Sequence, residues 1–300
     1  MTGSRVLGFA TMLSFLVLSE FAVPISIPIK LVALTPEYVT AGSPELIRVT
    51  TAGADSVNGE WFGKKIEFFR GSDHTTWFAL VGVDVESSTG PTTLRITTFK
   101  GDAQELHMKA DLSQSIEVHP AHYRSGALTV PPKFVEPGPD EQKAIAADAD
   151  LKAKVFASSA AEPLWHGSFR APVLARPTDS FGTRRMFNGK LASIHKGMDF
   201  RAAKGTVVRA SNSGVVVLAR PLYYEGNCVI IDHGLGLYTL SMHFSRIDVH
   251  EGQRVVAGDK LGLSGATGRV TGPHLHWAVR WEGAYLDPGK LLRLDLNAIR

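Results

Sequence analysis

The stretch Thr271-Gly272-Pro273-His274-Leu275-His276-Trp277 contains two histidines that are two residues apart. Val279 and Trp281 continue the alternation of apolar residues, so the pattern predicts a β-strand that begins after a Gly-Pro turn. Because alternate residues of a strand share one face, we expect His274 and His276 to point to the same side. Two neighbouring imidazoles form half of a metal site or an acid–base site.

Two further segments can supply the other half of such a site. His195 and Asp199 are four residues apart around Gly197, and on an extended segment an even separation keeps both side chains on one face. His243 lies in the strand-like run 237–244. Three nitrogen or oxygen ligands plus water form the usual open catalytic zinc site, and the remaining histidines could then transfer protons. The spacing alone does not decide which three of the five candidates bind the metal.

Composition restricts the class of protein. A chain of 300 residues with 44% hydrophobic residues has enough material for about two globular domains. The net charge of +3 fits ordinary surface charge or a mild attraction to an anionic polymer, and we expect no nucleic-acid partner. The single cysteine, Cys228, excludes an internal disulfide and a cysteine-rich zinc cluster. Cys228 lies in an apolar run, which predicts a buried, unreactive thiol.

The N-terminus has the pattern of an export signal. Arg5 precedes an apolar run from Val6 to Leu18, as a charged region precedes the hydrophobic region of a signal peptide. We assign residues 1–29 to a cleaved signal peptide or an uncleaved membrane anchor, and the alternative is a buried core helix. The protein is therefore expected to be exported, and to act in the periplasm, in the cell envelope or outside the cell.

The rest of the chain divides into three parts, and the predicted fold class is all-β. Residues 30–125 show short β-rich runs with Gly, Asp and Pro between them, which predicts a small immunoglobulin-like β-sandwich. Residues 126–164 combine a proline-rich linker with an alanine-rich segment in which acids come first and lysines last, as expected for a helix. In residues 165–300, glycines separate short apolar runs, which predicts antiparallel strands joined by tight turns.

Six ordered motifs lie in this last part. They are Phe181-Gly182-Thr183-Arg184-Arg185, Phe187-Asn188-Gly189, His195-x-Gly197-x-Asp199-Phe200, Asp232-His233-Gly234, His243, and Gly265-x-Thr267-Gly268-x-x-Thr271-Gly272-Pro273-His274-Leu275-His276. With these motifs the chain from about Phe169 to Leu292 resembles the lysostaphin-type (LytM) zinc endopeptidases, which cut peptide bonds in bacterial cell-wall peptidoglycan.

The resemblance implies a role for each site residue. It implies that His195, Asp199 and His276 bind one zinc ion per catalytic domain. It also implies an antiparallel β-sheet that forms a groove, with His243 and His274 as the catalytic pair. Asn188 would contribute to substrate binding in this groove. The expected partners are peptidoglycan peptides, in stems or cross-links.

Two other functions compete with a zinc metalloendopeptidase. The first is a non-catalytic protein that binds the cell wall or activates a hydrolase while keeping the fold. Such proteins are expected to lose site residues, and all five candidates are intact here. The second is a structural zinc protein, for which a closed four-ligand site would give no role to a fifth candidate.

Overall fold

A computed structural model of the chain describes residues 28–101, 108–188 and 190–299. Apart from Pro28 and Ile29, the predicted export signal lies outside these residues. No helix in the described ranges is long and apolar enough to cross a membrane. The described structure is mostly β-sheet, so the predicted all-β class is confirmed.

The N-terminal unit is a β-sandwich. Within the described residues it contains two four-stranded sheets, with strand orders β1-β2-β6-β5 and β4-β3-β7-β8. Their bounds are β1 Ile29–Thr35, β2 Pro44–Thr51, β3 Ser56–Trp61, β4 Lys64–Glu67, β5 Phe69–Arg70, β6 Thr76–Gly82, β7 Gly90–Lys100 and β8 Met108–Val118. Apolar residues of both sheets, such as Ile47, Leu80, Trp61 and Ile96, share one core. The immunoglobulin-like assignment of this sandwich stays a prediction.

The connecting segment contains strand β9 (Ser125–Leu128), a 3₁₀ turn at Pro132–Phe134 and helix α1 (Pro139–Val155). The helix confirms the prediction from the alanine-rich segment, with acids in its first turn and lysines in its last. Leu151, Val155 and Phe156 pack against the core of the C-terminal unit. The side chain of Lys152 forms an ion pair with Glu225 of that unit. The helix therefore lies against the domain that follows it.

The C-terminal unit is built on an antiparallel sheet. Its strands are β10 Pro177–Asp179, β11 Arg184–Phe187, β12 Lys190–Ile194, β13 Met198–Phe200, β14 Val207–Arg209, β15 Gly214–Leu222, β16 Gly226–Asp232, β17 Leu237–Ile247, β18 Arg254–Val255, β19 Lys260–Ser264, β20 Leu275–Trp281 and β21 Ala284–Leu286. The main path runs β10-β13-β20-β17-β16-β15-β18 in the described chain. Helix α2 (Pro288–Leu291) and a 3₁₀ turn at Asn297–Ile299 follow.

A smaller sheet joins the connecting segment to this unit. Strand β11 pairs with β12 and, in parallel, with β9, so the order is β12-β11-β9. The two large units are also in contact with each other. The backbone N–H of Asp287 donates to the carbonyl oxygen of Gly42 (2.7 Å), and a Cβ on Gly82 would overlap the side chain of Leu286. The sandwich, the connecting segment and the C-terminal unit therefore pack on one another.

Candidate active site

Two adjacent strands, β13 and β20, and the segment before β13 position the candidate ligands. Asp199 in β13 is the antiparallel partner of His276 in β20, and directly opposite residues of a sheet point to the same face. His195 precedes β13, and its backbone is held by a hydrogen bond from its N–H to the carbonyl oxygen of Thr183 (2.8 Å). The sheet therefore brings together residues that are up to 81 positions apart in sequence.

The three side chains converge on one point. His195 Nε2 lies 3.1 Å from Asp199 Oδ1 and 3.0 Å from His276 Nδ1, and Asp199 Oδ1 lies 2.8 Å from His276 Nδ1. They form the one cluster of this kind among the described residues. Donor atoms bound tetrahedrally to zinc at about 2.0–2.1 Å are about 3.3 Å apart. Two imidazoles and a carboxylate at this spacing fit a zinc ion in both geometry and ligand type.

Gly197 makes this convergence sterically feasible. A Cβ on Gly197 would lie 2.6 Å from His276 Cε1 and 2.8 Å from the carbonyl oxygen of Trp277. These separations are shorter than van der Waals contacts allow, so a side chain here would push the His276 ring away. The glycine between His195 and Asp199 is therefore required for close approach of the third ligand.

Backbone carbonyls determine which imidazole nitrogens are free. The Nδ1 atoms of His195, His243 and His274 lie 3.0, 2.8 and 2.9 Å from the carbonyl oxygens of Ser180, Thr267 and Gly272. A carbonyl oxygen only accepts, so in the neutral imidazole each Nδ1 carries the hydrogen and each Nε2 has the lone pair. His195 thus presents a ligand atom to the cluster, and His243 and His274 present basic nitrogens.

His243 reaches the site through a β-bulge. Opposite β16, strand β17 has one extra residue in the pairing between Ser241 and Phe244, and His243 adopts a positive φ of 65°. The neighbouring residue, Met242, is the strand partner of His276, so a regular strand would turn His243 to the opposite face. The bulge places the His243 ring 4.9 Å from the His274 ring and 6.0 Å from the His276 ring, between centroids.

Burial keeps His243 neutral. Its pKa is lowered to about 3, mainly because burial disfavours the cation and further because His276 and His274 are close. His274 is less buried, and its Nε2 lies 3.7 Å from Asp199 Oδ1. Both histidines that the resemblance implies as catalytic therefore lie beside the proposed ligands, and His243 is neutral there.

Arg185 holds the second oxygen of Asp199. Its Nη2 donates to Asp199 Oδ2 (2.6 Å) and to Asp179 Oδ2 (2.5 Å). Burial alone would raise the pKa of Asp199, but the close His195 and His276 side chains outweigh burial and hold this pKa far below its ordinary value. Asp199 is therefore a carboxylate at any working pH, with Oδ1 directed to the cluster and Oδ2 fixed by the guanidinium.

A groove of about 500 Å³ contains the site. Its lining includes all five candidate residues and also residues from the connecting segment, Leu128 and Val130. Asn188 lies at the end of β11, where its side-chain amide exchanges two hydrogen bonds with the backbone of Val130 (3.1 and 3.0 Å). Asn188 thus fixes the segment that forms part of the groove wall, and its role in substrate binding stays a prediction.

Two other residues that the sequence patterns single out, His233 and Cys228, are buried outside the groove. His233 is buried, with hydrogen bonds to the Ser213 carbonyl oxygen (2.7 Å) and the Thr239 hydroxyl (2.8 Å), and burial lowers its pKa to about 4. Cys228 is buried, as predicted, and burial raises the pKa of its thiol.

Two groove residues received no role from sequence reasoning. Arg185 and Arg269 both lie within the quoted motifs, and both line the groove. No local pattern shows which groups they meet, because their partners come from other segments of the chain.

Comparison with known proteins agrees with this geometry. Residues 193–288 match peptidase family M23, and this range contains the five candidate residues. Over 103 residues the chain is 47% identical to the peptidoglycan DD-endopeptidase ShyA of Vibrio cholerae serotype O1. This alignment covers 34% of this chain and 24% of ShyA. Over 116 residues it is 42% identical to the DD-carboxypeptidase/endopeptidase Mpg of Neisseria meningitidis serogroup B. This alignment covers 39% of this chain and 27% of Mpg.

The chain thus spans about a quarter of the length of these two relatives. A solved structure from Pseudomonas aeruginosa assigned to peptidase M23 superimposes with a TM-score of 0.65 at 25% identity. The superposition covers 84% of this chain and 94% of that one, so it includes more than the matched domain. The fold, the ligand cluster and the sequence match agree that residues 193–288 form a peptidase family M23 domain.

Proposed function

We propose that this protein is an exported zinc metalloendopeptidase that cuts peptide bonds in the stems or cross-links of peptidoglycan. The observation that carries the proposal is the site itself. Three ligand atoms converge within 3.1 Å of one another, and two further histidines with free Nε2 atoms stand beside them in an open groove. A structural metal site would have no use for that second pair.

His195, Asp199 and His276 are the residues that would hold the metal. When bound there, zinc would polarise a peptide carbonyl and lower the pKa of water to about 7. The proton transfers would be carried out by side chains of the protein. His243 Nε2 is a neutral base that can accept a proton from the attacking water, because its Nδ1–H is fixed to the Thr267 carbonyl oxygen. His274 is less buried, and its Nδ1–H is fixed to the Gly272 carbonyl oxygen, so it can donate from Nε2 to the reacting peptide once that nitrogen has taken up a proton.

Relatives supply the substrate class. ShyA is named a peptidoglycan DD-endopeptidase and Mpg a DD-carboxypeptidase/endopeptidase, and this chain is 47% and 42% identical to them over the matched residues. A peptidase acting on peptidoglycan works outside the cytoplasm, which agrees with the export signal expected at residues 1–29. We therefore place the activity in the cell envelope or the periplasm, with the protein either released or retained by an N-terminal anchor.

Digestion of purified cross-linked peptidoglycan tests the proposal. Mass spectrometry of the soluble products should show cross-linked muropeptides converted into uncross-linked ones, or stem peptides shortened, by the zinc-loaded protein. A chelator should stop the reaction, and added zinc should restore it. Tight binding to the polymer without any new product would instead support the non-catalytic wall-binding function.

A further inference from the structure

The groove contains an arginine whose charge is not paired with a carboxylate. Of the other cations that line the groove, Arg185 is held by two carboxylates, and Lys196 Nζ lies 2.6 Å from Glu86 Oε2. In the described part of the chain, the guanidinium of Arg269 has neither an ion pair nor a hydrogen-bond acceptor. Glu225 is near enough to influence it electrostatically, but the carboxylate of Glu225 is paired with Lys152.

Aromatic rings fix the Arg269 guanidinium without using its donors. Its Cζ lies 4.4 Å from the ring centroid of Tyr224 and 4.7 Å from that of Phe187. Its backbone N–H donates to the carbonyl oxygen of Tyr224 (2.9 Å). Contact with an aromatic face occupies the plane of a guanidinium, and its N–H groups point outward along the edge. Arg269 is therefore held in place with its hydrogen-bonding capacity unused.

The loop that carries Arg269 also orients the catalytic base. The Thr267 carbonyl oxygen accepts the hydrogen bond from His243 Nδ1, two residues before Arg269. Gly268 has a positive φ of 76°, and a Cβ there would overlap the backbone of Tyr224 and Gly226. This tight packing leaves the loop little freedom. Arg269 on this loop and His243 in β17 thus line the same groove.

We propose that Arg269 binds a carboxylate of the substrate peptide, beside the bond that is cut. The proposal rests on the function proposed above and specifies the ligand that the groove selects. Partial burial lowers the pKa of Arg269, yet a guanidinium stays charged at any working pH, so an anionic group of the ligand would gain a charge-assisted and bidentate partner.

A single carboxylate suits this position better than a multiply charged anion. The same groove is lined by Asp179, Asp199 and Glu225, whose negative charges oppose a second negative charge on the ligand. Peptide stems carry free carboxylates on chain ends and on branched side chains, so a peptide substrate offers the required group close to a scissile bond. Amidation of that carboxylate removes the charge and keeps the size, which makes it the natural test.

The experiment compares two synthetic cross-linked muropeptides that differ only in whether the carboxylate next to the cross-link is free or amidated. Zinc-loaded full-length wild type is measured beside Arg269→Gln, Arg269→Lys and Arg280→Gln. Arg280 is a matched control, because its Cζ lies 3.9 Å from the Phe156 ring and it does not line the groove. Both kcat/KM and the dissociation constant are measured, the latter by calorimetry.

Wild type should bind and cleave the free carboxylate about 10- to 100-fold better than the amide, which is the usual range for a hydrogen-bonded charged group. Arg269→Gln should remove that preference by weakening only the carboxylate substrate, mainly through KM. Arg269→Lys should recover part of it, and Arg280→Gln should behave as wild type. Zinc content should be equal in all four proteins.

Equal losses on both substrates in Arg269→Gln, or no preference in wild type, would overturn the carboxylate site. The binding measurement separates this inference from the proposed function. If wild type cleaves neither substrate but binds the free carboxylate more tightly through Arg269, the carboxylate site holds and the peptidase proposal fails. If cleavage occurs at equal rates on both substrates, the peptidase proposal holds and the carboxylate site fails.

Discussion

Gly197→Ala should disable the metal site without unfolding the domain. The added Cβ would lie 2.6 Å from His276 Cε1, whereas a carbon–carbon contact needs at least about 3.5 Å. The ring must therefore retreat by about 0.9 Å, or Gly197 must move and displace its neighbours His195 and Asp199. Either movement breaks the contacts of 2.8–3.1 Å among the three ligand atoms.

The expected loss follows from this displacement. A misplacement of about 1 Å in a catalytic arrangement costs on the order of 10²-fold in rate, and loss of ligand orientation costs about 10- to 100-fold in metal affinity. We expect the zinc dissociation constant of Gly197→Ala to rise by at least about 10-fold, and turnover at saturating zinc to fall by about 10²-fold. Competition with a chromophoric chelator measures the first quantity, and cleavage of one defined muropeptide measures the second.

Gly126→Ala is the matched control, because a Cβ at that position meets only Thr183 Cγ2 at 3.8 Å, an ordinary contact. Circular dichroism and urea unfolding of the metal-free proteins should show that both variants keep the fold. Wild-type zinc affinity in a folded Gly197→Ala protein would refute the argument that this glycine gives His276 its place.

Three further predictions concern other parts of the chain. His243→Ala should keep its zinc, measured by metal analysis, while turnover falls about 10²-fold or more, and undiminished turnover would exclude His243 as the base. Glu45 is buried beside Ser43 and Lys290, and burial raises its pKa from 4.5 to about 8. Between pH 4.5 and 8, the Glu45 carboxyl therefore keeps its proton in the folded state and loses it in the unfolded chain. The free energy of unfolding should therefore fall as pH rises from about 4.5 to 8, by at most roughly 5 kcal/mol, and Glu45→Gln should remove this slope in urea titrations. A parallel slope in the variant would exclude Glu45 as its origin. A fusion of residues 1 to about 40 to a reporter active only outside the cytoplasm should be active, and an inactive, well-expressed fusion would count against an export signal.

Strand periodicity is sufficient to predict part of the site. The alternation around His274 and His276 predicts two imidazoles on one side, and both lie at the cluster. Local patterns do not contain the register between strands, so the pairing of Asp199 with His276 is visible only in the sheet. Without the family resemblance, the choice of three ligands from five candidates therefore stays open.

His243 shows why the rest could not be predicted from periodicity. Its position depends on an extra residue in β17 and a positive φ, and an alternating pattern alone would place it on the wrong face. The role of Arg185 could not be predicted either, because its two carboxylate partners, Asp179 and Asp199, lie in two other strands. Asn188 meets Val130, which is 58 residues away, through a pairing with the connecting segment that no local pattern indicates.

Titration of the metal-free protein with zinc tests the central claim most directly. Initial rates of cleavage of one cross-linked muropeptide are recorded, with zinc content, as zinc is added to wild type and to His195→Ala, Asp199→Ala and His276→Ala. The rate for wild type should start near zero, rise linearly and level off at one zinc per chain, and the three variants should bind no stoichiometric zinc and stay inactive. Full activity in the metal-free protein, stoichiometric zinc in all three variants, or no cleavage by fully loaded wild type would contradict the assignment of a zinc peptidase site to these residues.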